Sequence, residues 1–142
     1  MKKNNGNIPV CNPPNYQTRK SNLIVPPGSI DCHTHVFDSR YPMSPQRGYT
    51  PPNCSLAQML HMHDRLGIER VVLTQPSVYG TDNSAILEAI SSIPQQAKAV
   101  VAVNLSISDQ QLATLENKGV RGIRLNLDNS GGMPITQEEI PK

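Results

Sequence analysis

Apolar positions along the chain fall into short β-branched runs, separated by stretches in which they recur every three or four residues, the mark of strands alternating with amphipathic helices. A first strand carries Ile30 to His35. Ser55 then stands as an N-cap for a helix through Leu66, with Leu56, Met59, Leu60 and His63 near helical spacing and Gly67 as its stop. Glu69 to Gln75 reads as a second strand, cut off by Pro76. A second helix starts after Thr81-Asp82, carries Ile86, Leu87 and Ile90 on its apolar side, and cannot pass Pro94. Ala97 to Val103 is a third strand, and Ser108 caps a third helix with Leu112 and Leu115 as its buried stripe and Gly119 as its close. Val120 to Leu127 makes a fourth strand. The resulting order, β-α-β-α-β-α-β, predicts an α/β protein built on a parallel sheet.

The chemistry concentrates at the end of the first strand, in Asp31-Cys32-His33-Thr34-His35. In a regular strand alternate side chains share a face, which predicts Asp31, His33 and His35 on one side and Ile30, Cys32 and Thr34 on the other. Two imidazoles then project together from a strand's C-terminal end. Neutral imidazole binds zinc and other divalent ions, donates to a developing oxyanion, or shuttles protons near neutral pH. The bland alternative is a polar strand end. His61 and His63 repeat the spacing, but on a helix of about 3.6 residues per turn they point roughly 200° apart, so they cannot chelate one ion and read as surface and core-edge residues.

Parity also singles out Arg124. Ile123, Leu125 and Leu127 share the face that should pack on helices, which leaves Gly122, Arg124 and Asn126 on the other. An arginine aimed into a sheet interior needs an anion, and its planar fork matches a carboxylate, either from a substrate or from an internal ion pair. Arg121 has the opposite parity and reads as a surface or inter-helix group. Gly131-Gly132 follows a strand but lacks the G-x-G-x-x-G pattern, so no dinucleotide site is indicated.

Composition removes other classes. Lys plus Arg number 13 against 11 for Asp plus Glu, a net charge of +2 with no basic stripe, which argues against nucleic acid as a partner. Cys11, Cys32 and Cys54 are scattered and odd in number, so neither a zinc ribbon nor a disulfide framework is expected, and Cys32 reads as a buried, reduced core residue. No apolar run follows the basic Met1-Lys2-Lys3, and none is long enough to span a membrane, so a cytoplasmic location is the expectation. Residues 1–22, rich in Asn, Pro, Lys and Gln, are expected to form a flexible arm.

The succession of His33-Thr34-His35 and Gly119-Val120-Arg121-Gly122-Ile123-Arg124-Leu125-Asn126 resembles the amidohydrolase superfamily, and more closely its amidohydrolase-related branch of pyrone-dicarboxylate-lactonase-like hydrolases. The segment Tyr41-Pro42 through Arg47-Gly48-Tyr49-Thr50-Pro51 is similar to that branch's loop after the first strand. Gln75-Pro76-Ser77-Val78-Tyr79-Gly80-Thr81-Asp82-Asn83 is similar to its second strand-to-helix turn. The likeness extends over roughly residues 23 to 140.

That resemblance implies a (β/α)₈ TIM barrel with its active site on the C-terminal face, a fold that takes ~250 residues. Residues 23–142 then correspond to the N-terminal half, about the first four βα units, and the branch's later histidine and general-base aspartate have no counterpart here. A truncated reading frame or a fragment is the expectation. The resemblance further implies hydrolysis of a carboxylate-bearing lactone or cyclic ester. His33 and His35 would be catalytic, either directly or as ligands of one divalent ion such as zinc or manganese, since members with and without a metal are implied. Arg124 would hold the substrate carboxylate, and Tyr49 and Ser77 match positions that contact ligand. Both also have plain readings, Tyr49 as a loop anchor beside Pro51 and Pro52, Ser77 as filler of a post-proline turn. Tyr79 and Asn83 are weaker matches. Asp128-Asn129-Ser130-Gly131-Gly132 departs from the branch, which places a second arginine there, and this counts against a dicarboxylated pyrone as substrate. A metal-dependent decarboxylase of the same superfamily and a catalytically inactive half-barrel are the alternatives.

Overall fold

A computed structural model describes residues 8–126 and residue 140. Within them four parallel strands, β1 (Ile30–Thr34), β2 (Arg70–Thr74), β3 (Ala97–Ala102) and β4 (Val120–Arg124), lie side by side in the order of the sequence. The crossovers are α1 (Leu56–Leu66), α2 (Ser84–Ser92) and α3 (Asp109–Asn117). The protein is thus an α/β chain with a four-stranded parallel sheet whose strands are joined by helical crossovers. Leu127 and the Asp128 to Gly132 segment lie outside the described residues.

The helices begin and end where local chemistry dictates. Ser55 accepts from the Gln58 amide while the Gln58 side chain returns to the Ser55 amide, and Ser108 and Gln111 repeat that reciprocal box at α3. Each box satisfies amide groups that a helix start otherwise leaves without partners. Gly67 closes α1 at φ 77°, a left-handed value that costs a residue with a Cβ. α2 starts behind Asn83, whose side chain both donates to the Ala102 carbonyl at 2.7 Å and accepts from the Ala102 amide at 3.1 Å. The N-terminus of α2 is thereby fastened to the C-terminal end of β3.

Between sheet and helices lies one apolar layer. Leu73, Ala99 and Val101 are 0% exposed and meet Ile86 and Ile90 of α2 and Met59 of α1. The expected apolar face of α3 is only partly buried at Leu112 and Leu115, and Ile123 and Leu125 are 44% and 38% exposed where burial was expected. The physical reason is position: β4 is at the end of the sheet, with no later strand or helix beside it among the described residues.

A second departure matters more for function. Asp31 pairs with Val71 and Thr34 with Leu73, so three residues of β1 advance against two of β2. One extra residue in a strand is a bulge, and it reverses alternation beyond it. Partners in a parallel ladder point the same way, so Asp31 and Thr34 both face α1 with Val71 and Leu73. Asp31 therefore does not share a face with His33 and His35. Cys32 sits at this bulge on the outermost strand and is exposed, not a core residue.

The segment after β1 is tied back by an antiparallel bridge, in which the Phe37 and Cys54 amides and carbonyls bond at 2.9 and 2.7 Å. Residues 8–22 contain no helix and only a single bridge, between Val10 and Thr50. The Cys11 amide donates to the Thr50 carbonyl at 2.9 Å and the Ser21 amide to the Arg65 carbonyl at 3.2 Å.

Candidate active site

The C-terminal ends of the strands gather the imidazoles and the guanidinium. The rings of His33 and His35 stand edge to face, 5.2 Å between centroids, with Phe37 against His35 at 5.9 Å. His35 Nδ1 bonds the carbonyl of Thr74, the last residue of β2, at 2.7 Å. A carbonyl only accepts, so Nδ1 carries the proton and Nε2 of the neutral ring presents a lone pair. Arg124, the last residue of β4, donates from Nη1 to the carbonyl of Gln75 at 3.1 Å, the next carbonyl along. To get there it crosses the end of β3, where Ala102 leaves room. Gly122 is equally constrained, since a Cβ there would lie 3.3 Å from a methyl of Val100.

Burial pushes the His35 imidazole below its ordinary 6.5; the Thr74 carbonyl opposes this, while electrostatic repulsion from His33 and Arg124 adds to it. His35 is therefore neutral at pH 7. With the folded pKa below the unfolded one, the folded chain binds the proton less readily, so stability is intact above 6.5 and is lost as pH falls through that value toward the folded pKa. The urea midpoint is expected to drop from pH 6.5 downward, and His35→Gln should flatten the drop; an identical slope in the variant would contradict it.

His33 is exposed, and both histidines line a cavity of 330 Å³ together with Tyr16, Phe37, Cys54 and Met59. Among the described residues no three His, Cys, Asp or Glu side chains converge as a metal set. Catalytic zinc takes three protein ligands, whereas the described residues offer two imidazoles, and they do not by themselves make such a site.

Ser77 and Tyr49 lie on the same end of the sheet without joining that cluster. Ser77 opens the 3₁₀ turn Ser77–Tyr79, and its carbonyl accepts from Gly80 at 2.9 Å. Tyr49 packs with Tyr41 and Met43 against buried Val78 and Tyr79. Tyr79 and Asn83 hold the scaffold. The Tyr79 hydroxyl donates to the Asp38 carbonyl at 3.0 Å and accepts from the Asp38 amide at 2.8 Å, and burial raises its pKa, which keeps that proton in place. Asn83 is committed to Ala102, as described.

Two participants escape sequence reasoning. Gln75 is 1% exposed and donates from its side chain to the Asp82 carbonyl at 2.7 Å, which ties down the turn that carries Ser77. His63, read as a core-edge residue, is 3% exposed and bonds Asp31 Oδ2 through Nε2 at 3.0 Å. A polar residue amid the apolar spacing of α1 was the available signal for it.

A parallel βα sheet whose imidazoles and arginine meet beyond the strands' C-terminal ends has the architecture of a (β/α)₈-barrel enzyme. The comparisons agree. The chain belongs to the amidohydrolase family, whose model, described as "Amidohydrolase", matches residues 30–139. It is 40% identical over 109 residues to 2-pyrone-4,6-dicarboxylate hydrolase of Comamonas testosteroni, covering 75% of this chain and 36% of that protein. It is 31% identical over 135 residues to 4-sulfomuconolactone hydrolase of Rhizobium radiobacter, covering 94% of this chain and 45% of the relative. Among solved structures, a probable 2-pyrone-4,6-dicarboxylic acid hydrolase from Acinetobacter baumannii with citric acid bound superposes with a TM-score of 0.70 at 29% identity, over 80% of this chain and 42% of that one. The chain thus spans less than half the length of each of these relatives. No helix among the described residues is long and apolar enough to cross a membrane.

Proposed function

We propose that this chain forms the N-terminal half of the catalytic face of a cytoplasmic hydrolase that opens a carboxylate-bearing lactone or related cyclic ester. The observation that carries this reading is the convergence of His35 and Arg124 on the adjacent carbonyls of Thr74 and Gln75 at the strand ends, with the His33 ring edge to face on His35. Two curated relatives are named as lactone or pyrone hydrolases, and a third relative of known structure holds citric acid, a tricarboxylate.

The chemistry divides by protonation. Arg124, permanently charged, pairs with the substrate carboxylate and fixes the ring's orientation. His33, exposed beside the cavity, donates to the ester carbonyl and to the oxyanion that forms as water adds. His35 holds Nδ1–H on Thr74 and offers the Nε2 lone pair, so in its neutral form it accepts a proton or orients the attacking water and cannot itself donate to the oxyanion. Tyr49 and Ser77 flank the substrate from the loops on the same face. Should a divalent ion be bound, His33 and the Nε2 of His35 would be the ligands offered by the described residues, and the ion would supply charge to the carbonyl oxygen.

The test joins the 142-residue chain to the segment of the Comamonas testosteroni relative that follows its matched part, and offers lactones with and without a carboxylate. Ring opening of the carboxylated lactones with little turnover of uncharged analogues is the expected outcome. Release of carbon dioxide without ring opening would replace hydrolysis by decarboxylation, and a folded hybrid inert toward every carboxylated lactone would overturn the reading.

A further inference from the structure

His63 lies outside the cavity, yet it is linked to the site through one carboxylate. Asp31 Oδ2 bonds Nε2 of His63 at 3.0 Å, and Asp31 Oδ1 accepts the backbone amide of His33 at 3.1 Å. That amide belongs to one of the two residues, Cys32 and His33, that the β1 bulge leaves without a named ladder partner, since pairing runs from Asp31–Val71 directly to Thr34–Leu73. A bulge leaves its extra residue without a ladder partner, and a backbone amide without one is costly wherever water is excluded. The Asp31 carboxylate supplies the partner. The same carboxylate is drawn to the helix side of the sheet by an imidazole that is 3% exposed.

We propose that His63 is a positioning residue: by holding Asp31 under α1 it sets the β1 bulge, and the bulge is what turns His33 and His35 together away from Asp31, against Phe37 and the Thr74 carbonyl. Without the bulge, regular alternation would place Asp31 on the same face as both histidines and leave one more carboxylate in the site. The consequence for lactone opening rests on the function proposed above; the geometric consequence does not.

The experiment compares His63→Gln, His63→Asn and Leu60→Ala in the full chain. Glutamine carries its amide nitrogen near the place of imidazole Nε2 and still donates to Asp31; asparagine carries its own near Nδ1 and falls short. Leu60 packs partly buried against the core from the same helix and is not among the residues that line the cavity, so its loss loosens α1 alone. The chain holds four histidines, so histidine-selective ¹⁵N labelling gives a spectrum that can be assigned one variant at a time. Expected for His63→Asn are displaced ring signals of both His33 and His35, loss of the Nδ1–H preference of His35, and faster hydrogen exchange at the His33 amide. His63→Gln should restore all three, and Leu60→Ala should leave them in place. Unchanged His33 and His35 signals in His63→Asn, or equal disturbance in Leu60→Ala, would overturn the proposal. If His63→Asn fails to fold, Asp31→Ala read by His33 amide exchange and the His35 tautomer decides in the same way.

In the hybrid enzyme, kcat is expected to fall on the order of tenfold or more in His63→Asn, with KM nearly unchanged, as when a group that orients a reacting side chain is lost. A hybrid inert in every form while the ring signals still move would refute lactone hydrolysis and leave the positioning role standing.

Discussion

Replacing Arg124 by alanine is expected to cost the assembled hydrolase roughly 2–5 kcal/mol of transition-state stabilisation, because a substrate carboxylate would enter a partly desolvated site and find its partner gone. At about 1.4 kcal/mol per decade this is a loss of roughly thirtyfold or more in kcat/KM. Arg124→Lys should recover part of it, since an ammonium keeps the charge but not the planar fork. Arg121→Ala is the control. Its side chain donates to the Glu116 and Val120 carbonyls at 2.8 and 2.6 Å, at the end of α3 and away from the cavity, so its loss should touch stability by about 1 kcal/mol and leave turnover intact. A second readout accompanies the first. The positive charge of Arg124 is among the influences that depress His35, so its removal should shift the acid limb of the pH profile upward. Equal losses in the two alanine variants, or a lowered Tm in Arg124→Ala with kcat/KM of the folded enzyme unchanged, would place Arg124 in the scaffold.

Why Arg124 was legible in the sequence, while His63 was not, follows from the range of the forces involved. The helices declare themselves through contacts three or four residues apart: Ser55 with Gln58, Ser108 with Gln111, and the stop at Gly67. Parity in β4 survives because its one irregularity falls between Val120 and Gly122, ahead of Arg124, so that Gly122, Ile123 and Arg124 still alternate against Val100, Val101 and Ala102. In β1 the irregularity falls inside the motif. What sets it is a bond between Asp31 and His63, 32 residues apart, which no local period can report. The same bulge accounts for exposed Cys32, where alternation predicted a buried thiol. Pairing of His35 with the Thr74 carbonyl is likewise a property of two adjacent strands, so the tautomer, and with it the division of labour between the two histidines, emerges only once the sheet is formed.

A polypeptide of these 142 residues taken by itself is expected to turn over no lactone and to associate. Among the described residues β1 pairs with β2 alone and β4 with β3 alone, so both outer edges of the parallel sheet present unpaired amides and carbonyls. Apolar side chains accompany those edges: Ile30 is 43% exposed on β1, Ile123 44% on β4 and Leu125 38% just beyond it. Parallel sheets are stable when both faces are covered, and in a barrel the inner face is covered by side chains of the remaining strands. Here Val72 and Val100, on the side of the sheet opposite the helices, are only partly buried. Closing the sheet against further strands removes both liabilities at once. Light scattering behind size exclusion should therefore give a mass above 15.6 kDa for the isolated polypeptide, and addition of a polypeptide carrying the remaining βα units of a relative should lower the association and bring hydrolysis with it. A monodisperse 15.6 kDa species that unfolds cooperatively and opens a carboxylated lactone unaided would show instead that four βα units suffice for both stability and catalysis.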